Sequence, residues 1–145
     1  MTYVIRPAQV EDASDIFRLN CTSLGYDYPL EETQKRVDAI LKSGHDRIWV
    51  LELPSGVVGY IHAADYDTTY GAMQKNIMAL AVDPAVQGEG YGRLLLQTAQ
   101  DWARLSGASG VRLVSGHDRT SAHAFYAACG YTMRKEQKNF VKSLI

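Results

Sequence analysis

The chain is short of the features that mark several protein classes. Its two cysteines, Cys21 and Cys129, stand far apart without CxxC spacing, and its four histidines, His45, His62, His117 and His123, form no HExxH or paired metal pattern. No structural metal is expected, and the thiols read as reduced packing groups. No stretch approaches the roughly 18 apolar residues of a membrane helix. The start Met1-Thr2-Tyr3-Val4-Ile5-Arg6-Pro7 lacks the apolar segment of a secretory signal, so a cytoplasmic location with no membrane partner is expected. Basic runs are missing too: fifteen Lys and Arg against sixteen Asp and Glu give a net charge of −1, which argues against a nucleic-acid partner held through phosphates.

What remains is an ordinary globular composition, 46% hydrophobic and 21% charged over 145 residues. That length suits one core, and residues 1–145 are read as a single domain needing neither disulfide nor metal. Tyr3 to Arg6 alternates as a strand and stops at Pro7, and Ile16, Leu19 and Asn20 then fall at helical spacing. A second helix carries Val37, Ile40 and Leu41 on one face and ends at Gly44. Arg47 to Leu53 and Val57 to Asp65 form a hairpin around Pro54-Ser55-Gly56. A polar stretch, Tyr66 to Asn76, leads into the apolar strand Ile77 to Val82. The rest reads as a helix from Tyr91 to Ser106, a strand at Val111 to Ser115, a short helix from Thr120 to Cys129 and a closing strand at Asn139 to Leu144. The order βααβββαβαβ predicts an α/β fold with a mixed, mostly antiparallel sheet flanked by helices.

Chemistry concentrates between the apolar strand and the helix at Tyr91. Gln87-Gly88-Glu89-Gly90-Tyr91-Gly92-Arg93 sets glycine at every second position, where missing Cβ atoms let backbone N–H groups approach an anion and the helix start adds partial positive charge. Neither GxxxxGK[ST] nor GxGxxG fits, since the latter needs glycine at Leu95. Glycine spacing alone leaves a plain flexible loop as the alternative.

In this loop the sequence resembles the GNAT superfamily of acyl-CoA-dependent N-acetyltransferases, whose Gln/Arg-x-x-Gly-x-Gly/Ala signature is matched by Gln87, Gly90 and Gly92. Ala122-His123-Ala124-Phe125-Tyr126 with Gly130-Tyr131 is similar to the family's second element, AxxFYxxxGF/Y, and the order of elements extends the likeness over the whole chain. Arg119-x-x-Ala122-His123-x-Phe125-Tyr126 resembles a small-amine branch that includes aminoalkylphosphonate acetyltransferases. The resemblance implies a GNAT-like acyl-CoA N-acyltransferase fold and acetyl-CoA as co-substrate. Its pyrophosphate is then expected on Gln87, Gly88, Glu89, Gly90, Tyr91, Gly92 and Arg93, and its pantetheine along Leu80, Ala81 and Val82. Leu80 N–H becomes the candidate donor to the thioester oxygen, and Tyr126 the candidate acid for the departing thiolate. A solvated Arg93 and a packing Tyr126 are the plainer readings.

The general base departs from the family: many members carry Glu on the strand before the loop, and this chain has Met78 and Ala79. Water, an acceptor of low pKa, or His62, Asp65 or His117 are the alternatives, while His123 reads as capping or packing. Two segments, Tyr26-Asp27-Tyr28 with Glu31-Glu32 and Asp65-Tyr66-Asp67 with Tyr70, combine carboxylates and aromatic rings. They suggest a cationic acceptor touched by Tyr26, Asp27 and Asp65, against the alternative of solvated loops. The expected activity is acetyl transfer to a primary amine of a small molecule by direct attack, with a homodimer allowed. Acetylation of a protein N-terminus or lysine and a non-catalytic acyl-CoA-binding module are the competing readings.

Overall fold

The computed structural model describes residues 2–145, which divide into two compact units, the first ending at Leu113 and the second spanning residues 114–145. The first unit contains β1 (Val4–Pro7), α1 (Ala13–Leu19), α2 (Leu30–Lys42), β2 (Asp46–Leu53), β3 (Gly56–Thr68), β4 (Gly71–Val82), α3 (Tyr91–Leu105) and β5 (Val111–Leu113). Its five strands form one sheet in chain order. Successive strands from β1 to β4 run antiparallel, and only the β4–β5 pair is parallel, as a crossover through α3 requires.

Alternation sorts the two faces of the sheet. Tyr60, Val50, Ile48 and Ala81 pack with Ile16 and Leu19 of α1 and Val37 of α2 in one buried cluster. On the opposite face α3 comes so close that a Cβ added at Gly59 would stand 3.1 Å from both Leu95 Cδ1 and the Ala81 carbonyl oxygen. Glycine at 59 is therefore a packing requirement. Leu19, Leu51, Ile61, Leu95 and Leu96 are fully buried, each contributing about 1.5–3 kcal/mol through removal from water.

A β-bulge changes the face of β4. His62 pairs with Ala79 and Ala63 with Ile77, so Met78 is the extra residue. β5 pairs only with Lys75–Ile77 and stops where the bulge begins. Several contacts pin this short junction. Ser109 N–H donates to the Met73 carbonyl at 2.8 Å, and Arg112 donates to Asn76 Oδ1 at 2.6 Å while its guanidinium lies 4.1 Å from the Tyr66 ring centre. Lys75, 3% exposed, donates to Asp65 and places Nζ 3.9 Å from the ring centre of Trp102 on α3.

The polar stretch Tyr66 to Asn76 is not a loop between elements, because its residues pair as the far ends of the β3–β4 hairpin, Tyr66 with Gln74 and Thr68 with Gly71. Backbone pairing there outweighs side-chain polarity, as a two-sided hairpin arm permits. The first helix also ends earlier than a uniform helix would: α1 passes at Asn20–Leu24 into a π turn closed by Gly25 at φ 77°.

In the second unit, α4 (Thr120–Ala128) ends at Gly130, whose φ of 91° suits glycine. The strand expected at Asn139 to Leu144 does not form. A strand exists only through a neighbour, and among the described residues the segment after Tyr131 enters no ladder, leaving Phe140, Val141 and Leu144 exposed.

Burial of Lys75 leads to the first prediction. Lys75→Ala leaves Asp65 with His45 alone, so urea denaturation should show a loss of about 2–4 kcal/mol, less than a fully buried pair because Asp65 keeps partial solvation. Hydrogen bonding to Lys75 holds the Asp65 carboxyl below its usual range. The pair's contribution is thus full above about pH 4 and lost as pH falls through that depressed value, and Lys75→Ala should flatten this acid limb.

Candidate active site

Beyond the bulge, β4 has β3 as its strand neighbour and β5 no longer beside it. Antiparallel ladders direct the N–H and C=O of alternate residues to the same side. Asp83 N–H donates to the Val58 carbonyl of β3 at 2.8 Å, so Ala81 and Ala79 share that direction. Leu80 and Val82 therefore turn their N–H groups toward the side that β5 has left.

The strand runs directly into the glycine loop. Asp83 Oδ1 accepts from Ala85 N–H at 2.9 Å, and its Oδ2 accepts from Arg18 of α1 at 3.1 Å. Arg18 in turn donates to the Val57 carbonyl at 2.7 Å. Gln87 Nε2 reaches back to the Val82 carbonyl at 3.0 Å. With its start so braced, the loop passes through Gly88 at φ 88° and Gly90 at φ 90° before α3, and an added Cβ at either glycine would stand in open space. Left-handed backbone and vacant Cβ positions at the start of a 15-residue helix suit close approach by a phosphate.

On the other face a cavity of about 160 Å³ lies in the first unit. Its polar lining is Asn20, Tyr28, Thr33, Arg36, Tyr60 and His62, set among aliphatic side chains. Asn20 belongs to the π turn and accepts from the Tyr60 hydroxyl, and burial pushes the Tyr60 phenol well above its usual range. Thr33 donates to the Pro29 carbonyl at 3.0 Å. His62 Nε2 lies 2.7 Å from Asp46 Oδ2, and Asp46 Oδ1 accepts from Ser43 Oγ at 3.0 Å. An ionised carboxylate only accepts, so Nε2 of His62 is the donor in this contact. No carboxylate lines this cavity.

In the second unit, Tyr126 is partly buried and meets Phe125 and Tyr131 edge-on, with ring centres 5.2 Å and 5.9 Å away. Burial raises its phenol pKa, with Arg119 opposing, so the hydroxyl remains protonated across the neutral range. His123 holds the Gly116 carbonyl at 2.8 Å, which fastens the preceding loop to α4 and accounts for its position.

The structure brings Leu80, Ala81 and Val82 into line with the loop Gln87–Arg93. It separates the residues expected to meet an acceptor. Tyr26 and Asp27 are exposed ahead of α2, where Tyr28 reaches the cavity, whereas Asp65 faces α3 with its charge taken up by Lys75 and His45. Asn20, Arg36, Asp46, Asp83 and Arg18 escaped sequence reasoning because each acts across elements. Only the Ser43–Asp46 spacing gave any local sign. Among the described residues no group of three His, Cys, Asp or Glu could hold a metal ion, and no helix is long and apolar enough to cross a membrane.

A mixed sheet parted at its parallel edge, with a glycine loop entering a helix beside the gap, defines an acyltransferase-type α/β fold. A family model described as an acetyltransferase (GNAT) domain matches residues 44–133, and the chain belongs to that family. Over 58 residues it is 41% identical to the uncharacterised N-acetyltransferase YhdJ of Bacillus subtilis (strain 168), a match covering 39% of this chain and 41% of that relative's length. The fold is shared with a transcriptional regulator from Bacillus halodurans C-125 (TM-score 0.87, 21% identity, 97% of this chain and 100% of that one). It is shared equally with AAC(6')-Iy, solved in complex with the bisubstrate analogue CoA-S-monomethyl-acetylneamine (TM-score 0.87, 15% identity, 99% of each chain).

Because nothing in the protein crowds a Cβ at Gly90, a substitution there tests the loop without disturbing packing. Gly90→Val forces a β-branched residue into positive φ and fills the space above the loop. Calorimetry should show at least about a tenfold loss of acetyl-CoA affinity, about 1.4 kcal/mol, while the left-handed strain of about 1–2 kcal/mol lowers the thermal midpoint by several degrees without unfolding the protein. Unchanged affinity rules the loop out as the phosphate site.

Proposed function

We propose that the chain is an acetyl-CoA-dependent N-acetyltransferase, one domain over residues 1–145, that moves acetyl to the primary amine of a small molecule in the cytoplasm. The observation that carries this reading is the course of β4, whose Leu80 and Val82 N–H groups turn to the side vacated by β5 just before the braced glycine loop. Pantetheine is an amide chain, and Leu80, Ala81 and Val82 offer it backbone partners as an added strand would. The N–H groups of Gln87 to Arg93 receive the pyrophosphate, with Arg93 adding charge. The CoA portion of the ligand bound to AAC(6')-Iy supports an acyl-CoA in this fold.

The amine attacks the thioester carbonyl carbon, forming the C–N bond as the C–S bond breaks. Negative charge develops on the carbonyl oxygen, where Leu80 N–H donates; Tyr126 gives its proton to the departing sulfur, and the proton that nitrogen sheds as the amide forms returns through solvent to the Tyr126 phenolate. The small-amine preference suggested by Arg119, His123 and Tyr126 belongs to the same proposal, as does a homodimer.

Coenzyme A release from acetyl-CoA across a panel of amines tests the activity: binding without release with any amine identifies a non-catalytic module instead. Tyr126→Phe keeps shape and removes the hydroxyl. Turnover should fall about 10²-fold, the low end for a general acid because a thiolate leaves readily, while acetyl-CoA affinity stays the same. Full turnover in Tyr126→Phe, with chemistry rate-limiting, makes Tyr126 a packing residue.

A further inference from the structure

We propose that the cavity between α1, α2 and the sheet is the acceptor site, with His62 as its base, Asp46 as the residue that positions His62, and Arg36 as the group that selects an amine bearing an anionic substituent. The proposal rests on the N-acetyltransferase reading and assigns the base and the acceptor class that reading leaves open.

Register places His62 where a base is needed. It pairs with Ala79, the residue before Leu80, so its Cα stands one strand spacing, roughly 4.8 Å, from the strand proposed to hold the thioester. Directly paired residues share a face of the sheet, so His62 and Ala79 both look toward α1 and α2. Ala79 offers only a methyl group there, partly buried against the core cluster. Met78, displaced by the bulge, is 56% exposed and adds no bulk to that face. From this register the imidazole is assigned to reach the attacking nitrogen directly or through one water.

Asp46 and Ser43 hold that imidazole in one orientation. Ser43 fixes the carboxylate, the carboxylate accepts from Nε2, and Nδ1 is left as the basic nitrogen. When Nδ1 takes the ammonium proton, the amine keeps its electron pair for attack, and the new imidazolium is stabilised by Asp46. The titratable and charged groups around His62 are Asp46 on β2, Tyr60 on β3, Arg36 on α2 and Tyr28 ahead of α2. Burial keeps the Tyr60 phenol protonated.

Charge and volume select the acceptor. The cavity has no carboxylate in its lining and one cation, Arg36, an exposed residue that makes no ion pair with any described residue. It offers a carboxylate or phosphoryl group a charge-assisted hydrogen bond that a second ammonium group cannot make. About 160 Å³ is small beside the roughly 300–1,000 Å³ of ligand pockets, so the acceptor is compact.

Four amines test the assignment with the full-length protein: β-alanine, 2-aminoethylphosphonate, propylamine and putrescine. We expect kcat/KM to be highest for one of the two anionic amines, with the comparison between them distinguishing carboxylate from phosphonate, and lowest for putrescine. Arg36→Ala should lower the ratio of anionic-amine to propylamine kcat/KM about tenfold, the scale of a partly solvated charged hydrogen bond. His62→Gln, which retains a donor toward Asp46, should lower kcat about 10²-fold and abolish the acidic limb of the pH profile. Asp46→Asn should lower kcat less than His62→Gln does, and imidazole should restore part of the activity of His62→Ala.

Thermal unfolding and acetyl-CoA calorimetry accompany each variant, so a folding defect is distinguished from lost chemistry. Folded His62→Gln with an unchanged pH profile overturns the base, and putrescine as best substrate overturns the acceptor class. Wild-type protein that binds acetyl-CoA but turns over none of the four amines overturns the cavity assignment. Failure to bind acetyl-CoA overturns the N-acetyltransferase reading itself.

Discussion

Met78 is one residue too many for the pairing of β4 with β3, and the consequences run through the first unit. From Lys75 to Ile77, β4 has strands on both sides, while from Ala79 onward its N–H and C=O groups alternate between β3 and a side with no strand. A bulge turns the strand and increases its local twist. The neighbouring parallel strand cannot follow and ends there. The contacts of Lys75, Arg112 and Ser109 concentrate on the last paired residues, so the point of parting is fixed while the segment beyond is exposed on one edge. An extended ligand requires that combination, because backbone groups offered to it must be both unpaired by strands and rigidly placed.

The sheet also partitions charge. His62 and Asp65 are three residues apart on β3 and so point to opposite faces. Toward α3, Asp65 meets Lys75 and His45, and Lys75 and Arg47 lie over the ring of Trp102, which itself meets Trp49 edge-on with ring centres 5.8 Å apart. Toward α1 and α2, Asp46 is joined to His62 and the remaining cavity groups are neutral apart from Arg36. Matched charges on the α3 face stabilise the fold. On the other face Arg36 is exposed and makes no ion pair with any described residue.

Local pattern made much of this legible. The 3.6-residue period of Leu95, Leu96 and Ala99 marks the buried face of α3, and alternating glycines mark the loop before it, because both depend on neighbours in sequence. The bulge was hidden: Ile77 to Val82 is apolar throughout, and a uniform run carries no sign of which residue is skipped. Asp65 looked like a surface carboxylate because its partner Lys75 lies across the hairpin, and the hairpin arm itself was concealed by polar side chains. The tail shows the opposite failure, since Asn139 to Leu144 has strand composition but no neighbouring edge to pair with among the described residues.

The π turn at Asn20–Leu24 links fold to chemistry on the cavity side. An ordinary α-helical continuation would carry the backbone on at its regular pitch, whereas the wider turn accompanies an Asn20 side chain directed to Tyr60. That hydrogen bond satisfies a phenol buried in the core, and burial keeps the phenol protonated to high pH. Tyr60 therefore remains a neutral, fixed wall across the range in which an imidazole gains and loses its proton. Thr33 is likewise committed to the backbone of Pro29. With both hydroxyls held, the imidazole of the cavity is that of His62, whose orientation is set from the far side by Asp46 and Ser43.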